Sequence, residues 1–259
     1  MFGKIDHLVI STSEVILLIG AGVVAGAIGS AGGITSLIAY PALLAVGITP
    51  LPANVTMAVA FVACLPGSAL GSRPELQGQG QWLRRWALLA GLGGAVGMTL
   101  LLVTPRRIFD WLVPFLLAAA AIILLMQPQL SRWRESNHIA NGRRLLPVGL
   151  FAIAVYNGYF GSGAGIMVLA LMLLTVDQDL PRANALKNML LGIGDVVAAI
   201  GFVLFGPVHW KAAAAMAIGL LVGSFVGPSL TRRIPGAILR VSVALLGFGL
   251  AAWLFAAHK

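Results

Sequence analysis

The chain has 259 residues, 59% of them hydrophobic and 10% charged, with a formal net charge of +9. Soluble domains sit nearer half apolar and a quarter charged. A soluble core of this size could not bury so much apolar length, so a lipid-embedded fold is expected and a water-soluble one excluded. The basic residues fall in short breaks between apolar stretches, a pattern that serves membrane topology and not nucleic-acid binding.

Apolar stretches run at about 15–46, 53–72, 86–104, 108–126, 146–176, 183–206, 211–230 and 236–257. Lys4, the apolar run after it and Ala25-Gly26-Ala27 imitate a signal peptide. The segment has a counterpart in the second half, so it belongs to the fold. Gln127–Arg144 is the one long polar stretch, too polar to span and too short to be a domain. The expected organisation is a first membrane repeat over 1–126, a polar linker over 127–145 and a second repeat over 146–259.

The halves match in order and spacing. Gly26-Ala27-Ile28-Gly29-Ser30-Ala31-Gly32-Gly33-Ile34 aligns with Gly158-Tyr159-Phe160-Gly161-Ser162-Gly163-Ala164-Gly165-Ile166. Pro52-Ala53-Asn54-Val55 aligns with Arg182-Ala183-Asn184-Ala185, Trp82 with Trp210, and Pro105 with Pro235. The segments 15–46 and 146–176 are longer than the roughly 20 residues of a straight span, and each carries its glycine cluster near the middle. Each is either a long tilted helix or a helix broken at a glycine turn that re-enters the membrane. Charge counting favours the second. With re-entrant segments, twelve of the 17 Lys and Arg fall on one face, the better positive-inside pattern. The expected fold is all-α and polytopic. It has two inverted repeats, each a Gly-broken or re-entrant first segment plus three transmembrane helices. The linker is expected in the cytoplasm and both termini outside.

The GxxGSxGG cluster after an N-terminal apolar helix, its second copy and the paired Ala-Asn motifs resemble the sulfite exporter TauE/SafE family over residues 15–255. The resemblance implies secondary transport of sulfite, thiosulfate or organosulfonates across a bacterial inner membrane. The second copy departs at Ala164, which replaces the first glycine of the Gly-Gly pair.

A broken helix presents free backbone N–H groups and a positive dipole end at membrane depth, which suits an anion. The anion is therefore expected between Gly29, Ser30, Gly32 and Gly33 and Gly161, Ser162, Gly163 and Gly165. The alternative for these residues is close helix packing. Asn54 and Thr56, with Asn184, Lys187 and Asn188 in the second copy, either join the site or serve locally: Asn54 and Asn184 as helix caps, Lys187 by snorkelling. Asn157 precedes the second cluster and is placed in the same cavity. Asp195 lies deep in a span, where a carboxyl is functional, paired or protonated. It is read as a proton carrier or as a hydrogen-bonding group. Thr35, Cys64 and Ser68 are polar enough to line a path, but nothing singles them out.

No catalytic set appears. The histidines lack metal-ligand spacing, there is no Walker loop, and the single cysteine excludes an intramolecular disulfide. The chain is expected to be no enzyme, with no cofactor or metal. Its expected partners are a small sulfur-containing anion, the lipid bilayer and protons as coupling ion, with small-residue faces suited to internal packing or a homodimer. The rival readings are a carrier of another carboxylate or inorganic anion, and a membrane partner protein without flux.

Overall fold

The computed structural model describes residues 10–116, 118, 119, 122, 142–176 and 179–231. The expected final span at 236–257, Pro235, most of the linker, both termini, His7, His138 and His258 lie outside them. The described residues are helical, without strands. The helices are α1 (Thr12–Gly32), α2 (Thr35–Ala45), α3 (Pro50–Phe61), α4 (Cys64–Gly71), α5 (Arg73–Leu76) and α6 (Gly80–Val103). A helix α7 follows, described from 106 to 116. Then come α8 (Gly142–Tyr159), α9 (Ala164–Thr175), α10 (Leu180–Phe205) and α11 (Trp210–Thr231). Five stretches are long and apolar enough to cross a bilayer: Thr12–Gly32, Pro50–Gly71, Gly80–Val103, Leu180–Phe205 and Trp210–Ser229. Large side chains such as Ile16, Leu88, Val148 and Phe205 stand exposed on their outer faces, as lipid-facing residues do.

Both over-long segments are broken. α1 starts with a capping box between Ser11 and Glu14 and stops at Gly33, which adopts a left-handed φ of 80° that favours glycine. α8 stops at Tyr159, and Gly161 and Gly163 take φ values of 75° and 80° before α9 begins. α3 and α4 form one span with a bend at Val62-Ala63. Pro66 has no N–H to offer the Val62 carbonyl four residues back, and Leu65 N–H bonds that carbonyl instead, at 3.3 Å.

Glycine faces set the packing. A Cβ on Gly22 would lie 2.5 Å from the Met216 carbonyl oxygen, and one on Gly26 2.7 Å from that of Leu220. Gly219 and Gly223 approach the α1 backbone in return. Across α6 and α8, Gly93 meets Ala154 and Gly97 meets Gly158 and Tyr159. Backbones this close gain dispersion contacts that lipid cannot supply. In the sequence alignment of the two halves α1 matches α8 and α6 matches α11, so the two interfaces join matching pairs of helices. Each joins the first element of one half to the third span of the other. Gly33 and Gly165, equivalent positions, touch each other: a Cβ on either would lie 2.5 Å from the other's backbone.

The same contacts give helix directions. Gly22 and Gly26 of α1 climb α11 past Met216 and Leu220, while Gly67 and Gly71 of α4 climb it past Leu221 and Phe225. α1 and α3–α4 therefore run the same way, and the chain must return between them through α2, whose 11 residues extend about 16 Å. α8 and α10 both run parallel to α6, with Ala90 beside Gly194 and Met98 beside Gly201, so α9 returns likewise. α3–α4 and α10 are antiparallel: Val55 lies by Gly206 and Leu65 by Gly192.

Candidate functional site

The two helix breaks, the α3–α4 bend and one face of α10 enclose a cavity of about 60 Å³. α1 and α2 contribute Gly29, Ser30, Gly33, Thr35 and Ser36. The bend contributes Phe61, Cys64 and Ser68, the second break Asn157, Gly161 and Gly165, and α10 Lys187, Asn188, Leu191, Gly192 and Asp195. The α10 residues recur at three- and four-residue steps, so one helical stripe faces the space.

Lys187 is fully buried. Its Nζ donates to the Gly29 carbonyl oxygen at 3.4 Å. An ammonium has three protons to place, and one long bond to a neutral carbonyl leaves capacity for an anionic guest. Eight residues on, Asp195 Oδ1 accepts a hydrogen bond from Asn157 Nδ2 at 2.7 Å. The two ionisable side chains thus share a cavity while each rests on a neutral partner. Thr35 and Ser36 open α2, which has no side-chain cap, so its first-turn N–H groups and positive dipole end border the same space. α9 differs: the Ala164 and Ile166 N–H groups bond the carbonyls of Gly161 and Gly163, each at 3.1 Å.

The asparagines do not cap their own helices. α3 follows Thr49 and α10 follows Asp179, which accepts from Arg182 N–H at 3.2 Å. Asn54 and Asn184 therefore sit about one turn in. Each reaches across to the broken helix of the other half. Asn184 Nδ2 donates to Ser30 O at 2.7 Å and Asn188 Nδ2 to the same oxygen at 3.0 Å. Asn54 Nδ2 donates to Tyr159 O at 3.0 Å. These carbonyls are the orphans of a helix C-terminus. Asn184→Ala would remove one of the two donors to Ser30 O and is expected to cost about 0.5–1.5 kcal/mol, read as a lower unfolding temperature in detergent. An unchanged temperature would mean that Asn188 alone satisfies Ser30 O.

Of the residues expected at the site, Gly29, Ser30, Gly33, Asn157, Gly161, Gly165, Lys187, Asn188 and Asp195 line the cavity. Gly32, Asn54, Thr56, Ser162, Gly163 and Asn184 do not. Thr56 Oγ1 accepts from His209 N–H at 3.0 Å and fixes the turn before α11. A Cβ on Gly32 would meet open space. The Ser30 hydroxyl does not point its proton at a guest; it donates to Gly26 O at 2.7 Å. Ser162 Oγ is buried with no partner among the described residues, and its carbonyl accepts from Tyr156 at 2.6 Å. Ser36, Phe61, Leu191 and Gly192 join the lining without a sequence signal. Phe61 reaches the cavity at the bend set by the missing N–H of Pro66.

Over residues 16–254 the chain matches the family described as sulfite exporter TauE/SafE. A probable membrane transporter protein of Haemophilus influenzae is 28% identical over 239 residues, 90% of this chain and 91% of its own. Another, ORF9 of Sinorhizobium, is 26% identical over 243 residues, 91% of this chain and 90% of its own. The probable membrane transporter protein YfcA of Escherichia coli K12 is 24% identical over 215 residues, 80% of this chain and 76% of its own. No solved structure matches. A family match running from α1 past α11, on a chain of apolar helices broken at two glycine clusters, makes this a multi-pass membrane transporter of the sulfite exporter TauE/SafE family.

Proposed function

We propose that the chain is a secondary transporter of a small sulfur-containing anion, bound in the cavity between the two helix breaks and moved by alternating access. The observation that carries the reading is Lys187: a fully buried ammonium with one weak carbonyl bond, facing a cavity that also meets the uncapped start of α2. Ionisable groups at such depth mark solute pathways. Size supports the substrate class. A cavity of about 60 Å³ exceeds the roughly 10–15 Å³ that a single water needs, so it has room for a small solute. Sulfite, thiosulfate and methanesulfonate are solutes of that kind.

Inverted repeats are supported by the antiparallel course of α3–α4 and α10, and by the self-contact of Gly33 and Gly165. In that arrangement α2 and α9 are re-entrant, and the helix bundles rock about the crossing of the breaks. On the helix directions above, Arg73, Arg84, Arg85 and Arg182 fall at one end and Arg106, Arg107 and Lys211 at the other. The arginine-rich end is assigned to the cytoplasm. The linker 127–145 then lies inside and both termini outside the inner membrane.

Thermal unfolding of the detergent-purified protein against sulfite, thiosulfate, methanesulfonate, sulfate, acetate and chloride tests the reading. A sulfur anion at a hundredfold excess over its Kd is expected to stabilise by about 2.7 kcal/mol, a rise of about 5–10 °C. Stabilisation by acetate or chloride alone would move the substrate to another anion. No shift with any of them would sink the site.

A further inference from the structure

The cavity is chemically one-sided. By the repeat alignment, Met57 stands where Lys187 stands and Leu65 where Asp195 stands. Both charged side chains of the lining come from one helix of the second repeat. The groups facing Asp195 from its neighbours are few. α8 offers Asn157, while the Tyr156 hydroxyl is committed to Ser162 O. α4 offers the Cys64 thiol, α6 a glycine face, and α1, α3, α9 and α11 no charged group. α5, which carries Arg73 and Glu75, packs against α10.

Resting on the transporter reading, we propose that the anion is monovalent and that it crosses together with one proton carried on Asp195. Electroneutrality of the closed cavity sets this stoichiometry. A net charge enclosed in a low-dielectric cavity is strongly disfavoured even after relaxation. With Lys187 held as the ammonium, two occupancies are neutral. One is the empty cavity with the Lys187 ammonium and the Asp195 carboxylate. The other is the loaded cavity with the ammonium, a monoanion and the neutral carboxylic acid. The empty cavity with Asp195 protonated carries one positive charge, and the loaded cavity with Asp195 ionised carries one negative charge. A carrier whose cavity closes only when neutral moves the anion with a proton and returns without either. The proton joins an Asp195 oxygen on the side where the anion enters and leaves it on the side where the anion departs. A dianion leaves the loaded cavity charged whichever state Asp195 takes.

Liposomes holding the purified protein and a pH-reporting dye provide the test, with labelled methanesulfonate, a permanent monoanion, as probe. An acidic exterior is expected to drive its accumulation, with one proton entering per anion. A potassium diffusion potential is expected to leave the rate unchanged. Sulfate and thiosulfate are expected to compete at least tenfold less well than methanesulfonate. Asp195→Asn removes the titratable carboxyl, so it is expected to lose pH-driven accumulation of methanesulfonate. Accumulation by the wild type without proton entry, or driven by voltage, would overturn the proposal even if the variant fails to fold. So would pH-driven accumulation by Asp195→Asn equal to the wild type. An absence of any sulfur-anion flux in the wild type would overturn the transporter reading beneath it.

Discussion

Gly33→Ala is expected to lower the unfolding temperature of the purified protein by about 6–12 °C, while Gly32→Ala leaves it unchanged or slightly raised. Two costs add at Gly33. Its φ of 80° charges an L-residue about 1–2 kcal/mol. Its Cβ would also sit 2.5 Å from the Gly165 carbonyl carbon, a backbone that cannot swing aside, and overpacking of this kind costs about 1–3 kcal/mol. About 3 kcal/mol in a chain of this size corresponds to the stated shift. Gly32 is the internal control. It is helical, a Cβ there meets nothing within 4 Å, and alanine is the better helix former by up to about 1 kcal/mol. Equal behaviour of the two variants in a scanning unfolding assay would mean that the breaks do not cross where Gly33 meets Gly165.

Lys187→Met is expected to separate two readouts that a structural lysine would keep together. Anion affinity should fall about 10–100-fold, since hydrogen bonds to a charged group are worth about 1.5–3 kcal/mol. Stability without anion should hold or rise, because replacing a buried charge with an apolar chain of similar length is neutral or favourable. Met57 already occupies the equivalent place in the first repeat. If instead the lysine serves to hold the α1 C-terminus through Gly29 O, the variant will lose stability and keep its anion affinity. Anion titrations followed by thermal unfolding read both quantities on one sample.

Much of the architecture was legible because glycine, proline and apolar length act locally. The breaks at Gly33 and at Gly161–Gly163 fall inside the duplicated clusters, where the backbone needs positive φ. What the local pattern could not carry is which orphan carbonyl each polar side chain answers. Asn54 and Asn184 look like caps of the helices they open. They lie a turn further in, because Pro50 and Leu180 already start those helices, and their partners are Tyr159 and Ser30, more than a hundred residues away in sequence. Ser30 looks like a hydroxyl donor to a guest, yet a serine inside a helix can bond back to the fourth carbonyl before it, and it does so at Gly26. Leu191 and Gly192 reach the cavity through their place on the α10 stripe, which apolar residues do not announce. Lys187 and Asp195 were conspicuous for the opposite reason: charge inside an apolar run has few places to go.

Counterflow through the cavity tests the account most directly, and Cys64, the chain's single cysteine, supplies the handle because it lines that space. Liposomes preloaded with unlabelled methanesulfonate should take up the labelled anion. A small methanethiosulfonate reagent should abolish that uptake. Excess methanesulfonate present during the reaction should protect the thiol, and Cys64→Ala should transport without being blocked. Uptake that proceeds undiminished after Cys64 is fully modified, or no counterflow in the untreated protein, would contradict a substrate path between the two helix breaks.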